Sequence, residues 1–180
     1  MILTGNAIER AVEKGEIVIE PFEKKLVNPN SYNYRMFDKV LKVSMDHENL
    51  SHFEELILDD SGLILEPGTL YLGATYEIIG SIKYVTTLLG RSSIGRLGLF
   101  LNVTADLGHT GAISRWTLEM KVVQPLRIYP FMRIGQVAFW LQTGIVNSYL
   151  GKYQGDLRPF PNKDESLLRR IIQEKLSNDS

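Results

Sequence analysis

The sequence predicts an all-β protein, a barrel or jelly-roll-like sandwich, flanked by one helix near its start and another at its end. Three observations carry this. Short apolar-alternating runs recur roughly every 8–12 residues from Lys39 to Leu141, turn chemistry separates them, and no helical periodicity interrupts them as βαβ units would require. The strands fall in one domain, residues 1–160, and residues 161–180 form an amphipathic helix and tail. A chain of 180 residues suffices for one such core and is short for two.

Taken in order, Thr4 precedes Ala7, Ile8, Ala11 and Val12, which share one helical face, and Gly15 is a stop; Thr4 is the expected N-cap. Ile17 to Glu20 is a short strand ended by Pro21. The run from Val27 to Met36 begins with turn formers and then alternates, as a loop entering a strand; Asn33 and Arg35 are its only candidate site or interface residues. Lys39–Met45 alternates as a strand. Residues 46–56 are polar, with His47 and His52 among Asp46, Glu48, Glu54 and Glu55. They lack the spaced histidine pair of a metal site and are expected to be a solvated loop.

Further strands are expected at Leu63–Leu65, Leu70–Thr75, Ile78–Ile79, Val85–Leu89, Leu97–Val103, Arg115–Val123, Leu126–Ile128 and Ile134–Leu141. Turns are expected at Pro67-Gly68, Gly80, Gly108 to Gly111, Pro125 and Pro130. Ser148 to Gly155 has two glycines, two tyrosines and a lysine with no period, which suits either a ligand-closing loop or an ordinary linker. After Pro161, Leu167, Leu168, Ile171, Ile172 and Leu176 lie on one helical face.

Composition narrows the function classes. The net charge of −1 creates no overall field for nucleic acid or anionic membrane, so neither is expected as a partner and any basic site must be local. With no cysteine there is no thiol nucleophile and no thiolate for zinc. The N-terminus is charged where a signal peptide needs an apolar run, and the expected location is cytoplasmic. Nucleophile-elbow, P-loop and dinucleotide-binding motifs are absent.

Chemistry concentrates between Leu89 and Met120. Gly90-Arg91-Ser92-Ser93-Ile94-Gly95-Arg96 sets two arginines around two hydroxyls, a combination that can cradle phosphate. Trp116-Thr117-Leu118-Glu119-Met120 sets one carboxylate within an apolar strand, a group suited to proton transfer or, as is usual for glutamates in strands, one that faces solvent. Alternation puts Leu118 and Met120 on one face and Thr117 with Glu119 on the other, without saying which face is the site. His109, in the intervening turn, is a base, a ribose contact or simply solvated.

The segment GRSSIGRLGLFLNVTADLG…WTLEM closely resembles the dCTP deaminase branch of the dUTPase-like, trimeric β-barrel family. NPNSYNYRM at 28–36, VQPLRIYPFMRIGQVAFW at 123–140 and SYLGKYQG at 148–155 extend the likeness in family order. The resemblance implies a dUTPase-like distorted barrel, a homotrimer with active sites at subunit interfaces, and Mg²⁺ carried in on the triphosphate. It implies hydrolytic deamination of dCTP to dUTP and ammonia without zinc, with dTTP or dUTP as further possible ligands. By the same resemblance Glu119 is the catalytic glutamate, with Ser92 holding the water and Arg96 beside it. Arg91, Ser92 and Ser93 would grip phosphate. The backbone of Val103 and Ala105 would read the pyrimidine edge, and Tyr149, Lys152 and Gln154 would close on the phosphates.

The chain departs from the family pattern at Asn33, which replaces an aspartate common in this strand of the wider family, and at three positions between Thr104 and Glu119. His109 stands where an aspartate is usual, one that contacts the deoxyribose 3′-hydroxyl and, in triphosphate-hydrolysing members, helps position water. Ala112 and Ser114 replace an aromatic residue and a glycine. Besides the deaminase, two alternatives stand: a dUTP pyrophosphatase or bifunctional dUMP-forming enzyme, and a non-catalytic trimeric nucleotide-binding regulator.

Overall fold

The computed structural model describes residues 1–46, 51–102, 105–151, 155, 157 and 159. Helix α1 runs Gly5–Glu13. Thr4 occupies the N-cap in extended conformation, but its side chain makes no capping bond; its carbonyl accepts from Ala7 and Ile8 instead. Ile8 and Ala11 turn inward, and Gly15, at φ +71°, ends the helix in the left-handed region that glycine adopts at little cost.

The strands are β1 (Ile17–Glu20), β2 (Tyr32–Arg35), β3 (Lys39–Met45), β4 (Ser51–Ile57), β5 (Leu63–Leu65), β6 (Leu70–Ala74), β7 (Ile78–Ser81) and β8 (Val85–Gly90). After a helical turn α2 (Ser92–Gly95) come β9 (Leu99–Leu101), β10 (Leu107–Gly108), β11 (Ile113–Ser114), β12 (Thr117–Val122), β13 (Leu126–Ile128) and β14 (Arg133–Trp140). Every pairing is antiparallel, in sheets ordered β1-β7-β11, β10-β8-β14-β2, β4-β3-β6-β12-β9 and β13-β5. They enclose one apolar core in which Tyr32, Tyr34, Met36, Leu118, Met120, Ile134 and Phe139 are fully buried.

The all-β expectation holds. Two places differ: Gly80, expected as a turn, lies within β7 opposite Val18 and Ile113, a position flanked by strands on both sides, and the polar run expected as a solvated loop over residues 46–56 contains strand β4, paired with β3 from Lys39↔Ile57 to Met45↔Ser51. The reason for the second is its place at the sheet edge. One neighbour suffices for the ladder, and polar side chains on an edge strand face water at no cost. Lys39 and Glu55 bond across the pair at 3.0 Å, and His52 meets Asp46 at 2.9 Å; His47 lies outside the described residues. The expected turn at Gly108–Gly111 also contributes Gly108 to β10, and residues 161–180 lie outside the description.

Asn33 and Arg35 are structural within this chain. Asn33 Nδ2 donates to Leu26 O and Asn28 Oδ1. Arg35 Nε donates to Glu77 Oε1 at 2.7 Å, its backbone N–H to Oε2 at 2.8 Å, and Nη1 to Glu23. Burial raises the Glu77 carboxyl above its ordinary value, against the opposing pull of Arg35.

Candidate active site

Strand β12 presents Leu118, Met120 and Val122 to the core and Thr117, Glu119 and Lys121 to the opposite face. On that outer face Glu119 stands opposite Leu72, and Val43 stands opposite both Leu70 and Phe53. Apolar side chains on the outside of a sheet need a cover. Here the cover is the segment from Ala105 to Trp116 together with Tyr149, and between cover and sheet lies a cavity of about 610 Å³. Glu119 is half-buried in its wall beside Thr117, Ser114, His109 and Asn102.

The cover is held by specific bonds. Trp116 donates through Nε1 to Ile79 O at 2.8 Å and through its backbone N–H to Thr75 Oγ1 at 3.0 Å. Gly108 passes so close to Thr86 and Trp116 that a Cβ would meet Thr86 Oγ1 at 2.0 Å and the indole at 2.4 Å. Tyr149 N–H donates to Thr110 O at 2.7 Å, Gln142 Nε2 to Thr110 Oγ1 at 2.8 Å, and Gly155 N–H to Ile113 O at 3.3 Å. The Tyr149 ring stacks on His109 with centroids 5.7 Å apart and 21° between planes. Tyr149 is thus docked on the cavity and Gly155 on β11, while Lys152 and Gln154 lie outside the described residues.

Of the residues singled out in the sequence, Glu119, Ala105, His109 and Tyr149 meet in this cavity, as do the unusual Ala112 and Ser114. Val103 lies outside the described residues. The arginine–serine segment is elsewhere. Ile94 anchors α2 in the core, while Ser92, Ser93 and Arg96 face solvent. The turn docks further along β12, where Val123 N–H donates to Gly98 O and Gln124 Nε2 to Leu97 O. Glu119 to Val123 is about 13 Å at ordinary strand rise. Arg91 donates to Arg133 O at 3.1 Å; burial, and then the nearby Arg133 charge, lower its pKa. Around α2, Leu97, Phe100 and Val123 are exposed apolar residues.

Sequence reasoning missed Asn102, Trp116, Phe53 and Val43. Trp116 and Thr117 are neighbours of Glu119, so strand alternation was a usable signal for Thr117. Nothing local marks Asn102, whose importance comes from pairing: its backbone N–H donates to Glu119 O at 3.0 Å and its Nδ2 to Thr117 O at 3.2 Å.

Among the described residues no helix is long and apolar enough to cross a membrane, and no group of three or more His, Asp or Glu gathers in a metal-holding arrangement. Comparison with known proteins agrees with the geometry. The family model described as dCTP deaminase-like matches residues 2–141. A Clostridium botulinum protein (strain Alaska E43 / Type E3) named "dCTP deaminase, dUMP-forming" is 45% identical over 160 residues, covering 87% of this chain and 92% of its own. A Rhodopirellula baltica protein named "dCTP deaminase" is 44% identical over 147 residues, covering 80% and 74%. The crystal structure of 2'-deoxycytidine 5'-triphosphate deaminase from Agrobacterium tumefaciens superposes with a TM-score of 0.65 at 22% identity, over 81% of this chain and 49% of that one. At that identity the likeness concerns the fold, and it agrees with the dUTPase-like all-β architecture. The chain belongs to the dCTP deaminase-like family.

Proposed function

We propose that this protein hydrolytically deaminates dCTP to dUTP and ammonia, with Glu119 as its proton carrier. The observation that carries the reading is a half-buried glutamate in the wall of a cavity large enough for a nucleotide, in a chain whose relatives at 44–45% identity are named dCTP deaminases. In this reading Glu119 takes a proton from water as the oxygen attacks C4 and delivers it to N3. It then carries the hydroxyl proton of the tetrahedral adduct to the amine, which leaves as ammonia. Backbone groups of Val103 and Ala105 read the base edge, His109 meets the sugar, and Tyr149, Lys152 and Gln154 close over the triphosphate, whose Mg²⁺ arrives as part of the substrate.

Ser92 and Arg96 complete the chemistry from a neighbouring subunit of a homotrimer, with Arg91 and Ser93 on phosphate. Two facts support an interface origin: the turn that follows α2 is bonded to Val123 and Gln124, about 13 Å along the chain direction of β12 from Glu119, and the exposed residues around it, Leu97, Phe100 and Val123, are the kind of apolar patch a subunit contact covers. The enzyme would work on the cytoplasmic nucleotide pool.

A second reading, dUMP as product, is favoured by the name "dUMP-forming" on relatives at 42–45% identity. Against it, His109 lines the cavity where the resemblance implies an aspartate, and an imidazole is a poorer fixed anion for orienting a second water. Incubation with dCTP and Mg²⁺, beside Glu119→Gln, tests both by ion-exchange chromatography. Accumulating dUTP with a dead variant supports the proposal, dUMP with pyrophosphate supports the second reading, and untouched dCTP overturns both.

A further inference from the structure

Two arginines contact the Tyr76 ring, and they differ in what neutralises them. Arg35 has its Cζ 4.9 Å from the ring centroid and is paired with both Glu77 and Glu23. Arg115 has its Cζ 5.5 Å from the same centroid and 4.6 Å from that of Phe37. No carboxylate pairs with it among the described residues. Arg115 lines the cavity that holds Glu119, and among the described lining residues it is the only lysine or arginine. Resting on the deaminase reading above, we propose that Arg115 grips an oxygen of the substrate's phosphate chain, from the same subunit that supplies Glu119.

The rings hold this guanidinium without satisfying it. Phe37 and Tyr76 attract the cation through their π-systems, but they supply none of the oxygen acceptors that its five N–H groups call for. One donor is used: Nη1 donates to Thr75 O at a long 3.4 Å. Nε and Nη2 have no hydrogen-bond partner, and neither is sealed from solvent as the unmatched Arg35 Nη2 is. Arg35 is therefore a neutralised, closed-off group, whereas Arg115 keeps both its charge and reachable donors at the cavity wall.

The ligand chemistry follows. An open guanidinium fork is matched by an oxyanion, and phosphate oxygens accept its paired N–H groups in bidentate fashion. Glu119, the only carboxylate among the described lining residues, repels such an anion, so the ligand has to keep its charge away from that end. Arg115 stands four residues before Glu119, no more than about 14 Å along an extended chain. A nucleoside triphosphate fits that division of charge: its neutral base carries the reacting carbon, and its phosphates lie at the other end. Because Phe37 and Tyr76 already hold the side chain, less rotamer freedom is lost when phosphate binds. One subunit thereby contacts both ends of the substrate, with the proton carrier at the base and the cation at the phosphates.

The test uses the full chain carrying Glu119→Gln to stop turnover, with and without Arg115→Met, which keeps an apolar stem against Phe37 and Tyr76 and removes the charge. Binding of dCTP with Mg²⁺ is titrated calorimetrically, and binding of deoxycytidine is followed by ligand-observed NMR. The expected result is dCTP held about 10- to 100-fold more weakly in Arg115→Met, the loss of a charged hydrogen bond, with deoxycytidine binding unchanged. Arg115→Lys, which keeps the charge without the fork, should fall between. Equal weakening of both ligands would make Arg115 a structural prop and overturns the proposal, as does an unchanged affinity for dCTP. Failure of Glu119→Gln alone to bind either dCTP or deoxycytidine sinks the deaminase reading instead. Inorganic tripolyphosphate then decides the anion site by itself: a site that Arg115→Met abolishes supports the inference, and one that it leaves intact, or none in either protein, overturns it.

Discussion

Gly80→Ala is the substitution that best tests whether the cover segment, and not the core alone, shapes the cavity. Gly80 sits in β7, paired with Ile113 of β11, and a Cβ there would lie 2.2 Å from Ala112 O and 2.7 Å from Ile113 Cα. Both are backbone atoms, so no rotamer change can relieve the clash. Ordinary contact requires β11 to retreat by about 1 Å, and overpacking of this kind costs about 1–3 kcal/mol. For a domain of this size that is roughly 3–10 °C of melting temperature. The catalytic effect should be larger in proportion, because Ala112 and Ser114 line the cavity and a displacement of about 1 Å can cost up to about 100-fold in turnover. Differential scanning calorimetry and the steady-state deamination rate measure the two effects. Gly90→Ala, whose added carbon meets nothing within 4 Å, is the melting control. A Gly80→Ala protein that melts and turns over like the parent would refute the idea that β11 positions the cavity wall.

Other outcomes follow from the same structure. Glu77→Gln leaves the half-buried Arg35 without its fully buried counter-ion and should cost about 3 kcal/mol, read as a lowered denaturation midpoint. The hydrogen bond from Lys83 holds the Glu16 carboxyl below its ordinary value of 4.5, with desolvation opposing and Tyr84 assisting. A lowered folded-state pKa gives stability that is present above 4.5 and lost as the pH falls through the lowered value. Lys83→Met should therefore flatten the acid limb of a melting-temperature profile between about pH 3 and 6; an unchanged limb would count against the pair. Phe100→Asp, at a residue 47% exposed beside α2, should yield a folded protomer that fails to trimerise and has lost deamination. Light scattering coupled to gel filtration reads the first effect and product chromatography the second, and an active monomer would contradict the interface site.

Much of this molecule was legible in its sequence because antiparallel strands write their burial into every second residue. The strands at Ile17–Glu20, Lys39–Met45, Leu63–Leu65 and Leu126–Ile128 match the expected bounds, and Leu118 and Met120 turn inward as alternation requires. β4 was not legible, because an edge strand with polar side chains carries the same composition as a loop. Alternation also states only that Glu119 and Leu118 face opposite ways. Which face holds a cavity depends on what covers it, and that was decided by the docking of residues 105–116 and Tyr149 over an outer face made apolar by Val43, Phe53, Leu70 and Leu72. Asn102 is the clearest case. Its type and position in the chain are ordinary, and only pairing with Thr117 and Glu119, partners 15 and 17 residues away, commits its amide nitrogen and leaves its oxygen buried without a partner. A sequence records the period of each strand; the pairing between strands, which depends on long-range register, determines which polar atoms are matched and which face forms a site.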